Sequence, residues 1–420
     1  MSKLGSAGFA EEDPTVRTSR TAILVLLLAA CPWVFGGPQN PTTPSAAAPP
    51  PAIHSEATPV RREGFLGDDA CQPCHRDKFE SYLQTVHHLT SQLPARNSIA
   101  GQFTAGKNVM QTFNPELSFR MDARDKRFYQ TAILEKPGHT TRRSEPFDLV
   151  VGSNTKGQTY AYWKGDELYE LPVSYWTELH EWVNSPGYVD GSADFDRPIT
   201  PRCIECHGTY VQTLEASLTS NRYNKSNFVL GISCERCHGA GGEHVKSQAA
   251  TSSDSGKGKP MPPLSSTRER QVDVCAQCHG GVGEEVAPPF SFKPGDQLSS
   301  YIKLKQADPN DRVDVHGNQV TLLERSRCFR SSLSMTCTTC HDVHSPERPA
   351  ASYSARCLGC HQPEKCGMFA KLGQQIAANC VDCHMPVQAS SLLVVDADDK
   401  RVSAKVRNHW IKVYPEAQRR

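Results

Sequence analysis

Cys203-Ile204-Glu205-Cys206-His207 and, further on, Cys234-Glu235-Arg236-Cys237-His238-Gly239-Ala240-Gly241-Gly242-Glu243-His244 decide how the rest of this chain is read. Each opens with two thiols three positions apart and a His directly after the second. Three positions make about one helical turn, so both thiols lie on one side of it. The His then projects toward the centre of any flat ring that the two sulfurs hold by its edge. Five more copies follow the same pattern: Cys71-x-x-Cys74-His75, Cys275-x-x-Cys278-His279, Cys337-x-x-Cys340-His341, Cys357-x-x-Cys360-His361 and Cys380-x-x-Cys383-His384.

Each copy reads as a haem c attachment site, with thioethers to two vinyl groups and an axial imidazole to iron. The chain is therefore expected to carry seven covalently attached haems. Other readings account for less. A thiol pair alone suits a redox switch or half of a zinc site, but neither explains a His after every pair. A secreted disulfide framework would not space its Cys this way.

The composition agrees. The chain has 420 residues, 17 Cys and 16 His, with a formal net charge of +1. A nucleic-acid-binding role would want a basic excess, and there is none. Mean hydropathy is −0.51, and 29 Gly and 30 Pro imply much loop. Such a chain needs part of its core from something other than side chains.

The amino terminus reads as an export signal. Arg17 and Arg20 precede an apolar run from Thr21 to Phe35, too short for a full membrane span and suited to a signal-peptide core. Leu28-Ala29-Ala30-Cys31 also matches a lipoprotein processing site, with Cys31 lipidated. Lipoprotein, plain secretion and uncleaved anchor stay open, since the run remains apolar through Pro32-Trp33-Val34-Phe35. All three place the body of the protein in the periplasm or cell envelope.

The organisation follows from motif density. Residues 1–36 form the signal or anchor, and 37–62 a disordered Pro/Ala-rich linker in which His54 is unliganded. Residues 63–280 form a four-haem domain and 281–420 a three-haem domain. The expected fold is mainly α with extensive loops, packed around stacked haems. A small β element near 125–172 interrupts it: a strand over 129–135 and a hairpin of 159–163 and 168–171 across Lys164-Gly165-Asp166. Residues 78–83 and 173–184 read as helices, and 250–268 as a surface loop. Cys328 and Cys366 read either as a disulfide or as single buried thiols.

Distal ligands are sought among the nine His outside the motifs. With His54 set aside and adjacent His87 and His88 counted as one locus, seven loci remain for seven irons: His87 or His88, His139, His180, His244, His316, His344 and His409. The glycines before His244 permit close approach of backbone to a flat ring. His344 follows His341 by three residues and faces the same side, so it serves a neighbouring haem. Met335, Met368 and Met385 are rival ligands, and an open iron face is the third option.

The chain resembles the cytochrome c-552/c-554 family, within the wider group that includes hydroxylamine oxidoreductase. The residues that carry the resemblance run from Cys71-Gln72-Pro73-Cys74-His75 through Ser81-Tyr82 to His87-His88, and include Leu171-Pro172-Val173-Ser174-Tyr175-Trp176 and Pro186-Gly187-Tyr188. Cys203 to His207, Gly231-Ile232-Ser233-Cys234 through His244-Val245, and Asn379 to Pro386 with His409 also fit. The resemblance implies helical haem-packing domains with stacked pairs, and distal His drawn from other parts of the chain. It also implies electron shuttling in respiratory pathways, often involving nitrogen compounds. The chain departs from it in haem number, and no tyrosine here is assigned to the covalent link of hydroxylamine oxidoreductase.

The function expected is electron transfer between redox partners, such as other cytochromes or a membrane quinol-linked complex. Attachment to the membrane would be through the N-terminus. The alternative is an oxidoreductase acting on a small nitrogen or sulfur compound at one five-coordinate haem. A third class is a structural subunit that its haems merely rigidify.

Overall fold

The 127 residues between the first two motifs, expected to hold one small β element, fold as ten strands. The computed structural model describes residues 62–251, 261–262, 266–305, 318–346, 348–397 and 400–417, all within one packing unit. The proposed signal segment, Cys31, the linker with His54, and His316 lie outside the described residues.

After α1 (Gln72–Tyr82) come β1 (Ser91–Gln92), β2 (Val109–Gln111), β3 (Leu117–Arg124), β4 (Arg127–Lys136), β5 (His139–Pro146), β6 (Leu149–Val151), β7 (Gly157–Lys164), β8 (Glu167–Glu170), β9 (Val173–Trp176) and β10 (Glu181–Asn184). β2-β3-β4-β5 form a four-stranded antiparallel sheet. β1-β6-β7-β9-β10, with β8 on β7, form a six-stranded one. The turns obey local chemistry. Pro137-Gly138 joins β4 to β5, with Gly138 at φ 76°, where glycine meets no Cβ penalty. Lys164 pairs with Glu167 across Gly165-Asp166, as expected.

Both sheets close on one core. Leu117, Phe119 and Met121 alternate inward from β3, and Tyr160, Tyr162, Val173 and Trp182 meet them from the other sheet. Phe147 stacks on Tyr160 at 4.3 Å. Gln130, fully buried, donates from Nε2 to Val173 O at 3.0 Å and accepts Val173 N–H at 2.9 Å. Its amide thus joins the sheets, with both its nitrogen and its oxygen partnered.

The mainly α expectation is therefore corrected: the fold is mixed α/β with substantial sheet. The reason is physical. This stretch has no attachment motif and must build its core from side chains, and aromatic and β-branched residues do that best on a pleated surface. The helix expected over 173–184 fails likewise. Val173 to Trp176 are all buried, and Val173 to Trp176 pair with Glu181 to Asn184 as a hairpin.

The rest of the chain is short helices and paired strands. They are α2 (Pro201–His207), β11 (Gly208–Thr213), β12 (Tyr223–Leu230), α3 (Cys234–His238), α4 (Gly242–Thr251), α5 (Arg268–His279), β13 (Gly283–Glu285), β14 (Ile302–Leu304), α6 (Gln319–Glu324), α7 (Arg327–Ser331), α8 (Ala350–Cys357), α9 (Phe369–Leu372), α10 (Cys380–His384), β15 (Val387–Ala397) and β16 (Lys400–Arg407). Among the described residues no helix is long and apolar enough to cross a membrane.

Candidate haem-binding site

α2, α3, α5 and α10 each end on a motif His. Within α1, His75 breaks the helical dihedrals at φ −121°, ψ 38°. Six of the seven motifs, all but Cys71 to His75, line one continuous cavity of about 2610 Å³. A pocket for one drug-sized molecule is roughly 300–1,000 Å³. The chain's own side chains do not supply this part of its core.

The imidazoles meet in opposed pairs. His75 and His244 have ring centroids 6.4 Å apart, His238 and His344 6.0 Å, His341 and His409 6.2 Å, and His87 and His279 6.2 Å. An ion held between two imidazole nitrogens at roughly 2 Å each sets the centroids about 6.3 Å apart, once the rings' half-widths are added. The first three pairs are near parallel, at 21°, 21° and 24°; the fourth is crossed at 74°. In each pair one ring belongs to a motif and the other to a distant segment.

Second contacts set which nitrogen is free. His238 Nδ1 bonds the Pro262 carbonyl at 2.8 Å, His384 Nδ1 that of Lys412 at 2.8 Å, and His409 Nδ1 that of Arg407 at 3.1 Å. His207 Nδ1 meets Thr90 Oγ1 at 3.0 Å. An Nδ1–H given to a carbonyl leaves the Nε2 lone pair for a metal. Burial pushes His87 and His409 down to about 4, and also lowers His238, His279 and His344. All five are neutral at pH 7, the form that binds metal. Because the unfolded His takes up a proton first, the stability these residues contribute is complete above about pH 6.5 and is lost as pH falls toward 4. Acid titration of the folded protein, followed by circular dichroism and the Soret band, is expected to show destabilisation in that window.

Polar atoms in the cavity wall also fit haem. Trp176 Nε1, Ser233 Oγ, Arg236 Nε and Gln277 Oε1 line it buried, with no hydrogen-bond partner within the protein. A guanidinium there suits a haem propionate. Zinc does not fit: a structural site takes four ligands, and among the described residues no three His, Cys, Asp or Glu side chains group around a common point.

The structure sorts the distal candidates. His87, His244, His344 and His409 each oppose a motif His. His88 packs edge-on to Tyr82 at 5.1 Å. His139 is exposed on β5, its Nε2 on Thr141 Oγ1, and His180 is exposed in the β9–β10 turn at φ 57°. Neither is brought to an attachment motif. Cys328 and Cys366 are not joined to each other in the structure.

One position gave no signal in the sequence. Glu235, inside the third motif and buried, accepts the N–H groups of Leu66 at 2.8 Å, Gly67 at 2.8 Å and Gly241 at 2.9 Å. It thereby holds the approach to the first motif against the loop leading to His244. Gly242 of that loop packs on the chain's own backbone: its N–H donates to Gly64 O at 2.9 Å, and a Cβ there would meet that oxygen at 3.0 Å. His409 is fixed by its neighbours. Trp410 lies between Arg325 and Lys412, at 3.7 and 3.5 Å from its ring, and Ile411 N–H donates to Ser326 Oγ at 2.7 Å.

Comparison with known proteins agrees with this chemistry. The family profile described as "Cytochrome c554 and c-prime" matches residues 174–239. The C-type polyheme cytochrome OmcC of Geobacter sulfurreducens is 25% identical over 163 residues, covering 38% of this chain. The match spans a fifth of that relative's length, 20%. The crystal structure of the outer cell wall cytochrome OcwA shares the fold, with a TM-score of 0.54 at 17% identity over 85% of this chain and 81% of that one. The chain is thus similar to multihaem c-type cytochromes, over one segment to cytochrome c554-like proteins, and its mixed α/β fold is like that of a cell-wall cytochrome.

Proposed function

We propose that this chain is an extracytoplasmic seven-haem cytochrome that transfers electrons between redox partners of a respiratory chain. The observation that carries the reading is the set of four imidazole pairs at 6.0–6.4 Å, the spacing at which two imidazoles would hold one iron between them. When bound, haem c supplies a one-electron couple, and two His ligands hold it at lower potential than a His/Met pair would. The protein's residues do the rest: thiols fix each ring, Nδ1 contacts aim the imidazoles, and the walls exclude water. Other cytochromes or a quinol-linked membrane complex are the proposed partners, and the N-terminus, through Cys31 or an apolar anchor, the proposed tether.

Electron paramagnetic resonance of the oxidised protein tests this. Low-spin iron is expected to dominate, with one strongly anisotropic signal from the crossed His87–His279 pair; mainly high-spin iron would overturn it. One observation favours a second reading, an oxidoreductase for a small nitrogen or sulfur compound at a five-coordinate haem. Among the described residues, no imidazole opposes His361 or His384. Carbon monoxide binding at one reduced haem, with turnover of nitrite or hydroxylamine, would establish that reading; neither is expected of a carrier.

A further inference from the structure

The chain meets its seventh motif a second time after β16. β15 and β16 pair with Val387 opposite Arg407, which brings the last residue of β16 beside the chain that leaves His384. Arg407 then grips α10 on both sides of that His. Its Nη1 donates to the carbonyls of Val381 at 3.1 Å and Met385 at 2.8 Å, and its Nη2 to Asp382 Oδ1 at 2.8 Å. A guanidinium presents its donors in a fixed fork, so one side chain serves main chain and carboxylate together.

The chain next turns back on α10. Asn408 N–H donates to Pro386 O at 3.1 Å, and Asn408 Oδ1 accepts Trp410 N–H at 2.8 Å. Lys412 is thereby returned to His384: its carbonyl accepts Nδ1–H of the ring at 2.8 Å, and its N–H reaches His384 O at 3.4 Å. Between the two grips lies His409. Its Nδ1 bonds the carbonyl of Arg407 at 3.1 Å, and its ring faces His341 of the fifth motif at 6.2 Å. Ser326, fully buried, donates from Oγ to His409 O at 3.2 Å and accepts Ile411 N–H at 2.7 Å. One short segment, residues 407 to 412, thus serves imidazoles at two motifs.

We infer that Arg407 to Lys412 form a strap that positions two axial imidazoles at once, His384 of the seventh site and His409 of the fifth, with Arg407 as the positioning residue common to both. This rests on the multihaem reading above and adds a coupling between two of its sites. A carbonyl that accepts Nδ1–H fixes the tautomer and makes the imidazole a more basic ligand. A more basic ligand favours oxidised iron, so bonds of this kind lower the potential of the site they serve. The strap holds both potentials down, and loosening it releases both.

The test is a redox titration of the full haem-loaded protein, with every signal followed by electron paramagnetic resonance. Arg407→Lys keeps the charge beside Asp382 but loses the fork. Two midpoints are expected to rise and the others not to. One of the two is that of the fifth site, which His409→Met marks, since a thioether in place of the imidazole raises the potential there. A rise at one site only, at neither, or at all sites alike would overturn the strap. So would a fall at both. Should Arg407→Lys fail to fold, Ser326→Ala removes only the Oγ bonds to the strap and is expected to raise the same two midpoints. Intact mass is measured on the same sample. Five haems or fewer would sink the multihaem reading itself, whereas seven haems with the wrong pattern of shifts would sink the strap alone.

Discussion

His87→Ala is expected to turn one low-spin haem high-spin, and His88, one residue away, will not take over. The His87 and His279 rings stand 6.2 Å apart, so removing the first leaves one iron face without its imidazole. His88 is held where it is. A Cβ on Gly231 would come within 2.4 Å of the His88 carbonyl, so that backbone already packs at contact, and Ile232 N–H donates to His87 O at 2.9 Å. Its ring lies against Tyr82, whose hydroxyl donates to Ile232 O at 2.7 Å. Swinging His88 into the vacated position would break this packing. Spectroscopy at room temperature should show one new high-spin centre in His87→Ala and none in His88→Ala. The reverse result would reassign the ligand.

Glu235→Ala is expected to be the most destabilising single change outside the haem ligands, at about 3–5 kcal/mol. The carboxylate is 4% exposed and accepts three main-chain N–H groups. Truncation leaves one buried and two part-buried main-chain donors without an acceptor, each costing up to about 1–3 kcal/mol. It also frees the segment at Leu66–Gly67 from the loop at Gly241, so the His75–His244 pair should loosen with it. Chemical denaturation gives the first effect, and loss of one low-spin signal the second. Glu235→Gln keeps one acceptor oxygen and should lie between. A variant as stable as the parent would show that water replaces the carboxylate.

The attachment chemistry was legible because it is local. Cys-x-x-Cys-His needs only one turn of chain, and His244, His344 and His409 each stand out by following a motif closely or closing the chain. The pairing was not legible, since each of the four His lies 68 to 192 positions from the motif His it faces. The seven-for-seven tally of loci is replaced by four opposed pairs, with His139 and His180 at the surface and His316 outside the described residues. The β region was hidden for a different reason. Aromatics at 173–184 suit a helix face and a buried strand alike, and tertiary pairing of β9 with β7 and β10 decides between them. Glu235 was invisible because its partners at Leu66 and Gly67 are main-chain groups, which leave no trace in side-chain identity.

Everything above depends on the motifs carrying covalent haem, and the intact mass of the unfolded, oxidised protein tests that most directly. Thioether bonds survive denaturation, whereas a haem held only by axial ligands is lost. The account predicts a mass equal to the processed polypeptide plus seven haems, with the colour retained in denaturant. Five haems or fewer, or a colourless chain, would contradict it.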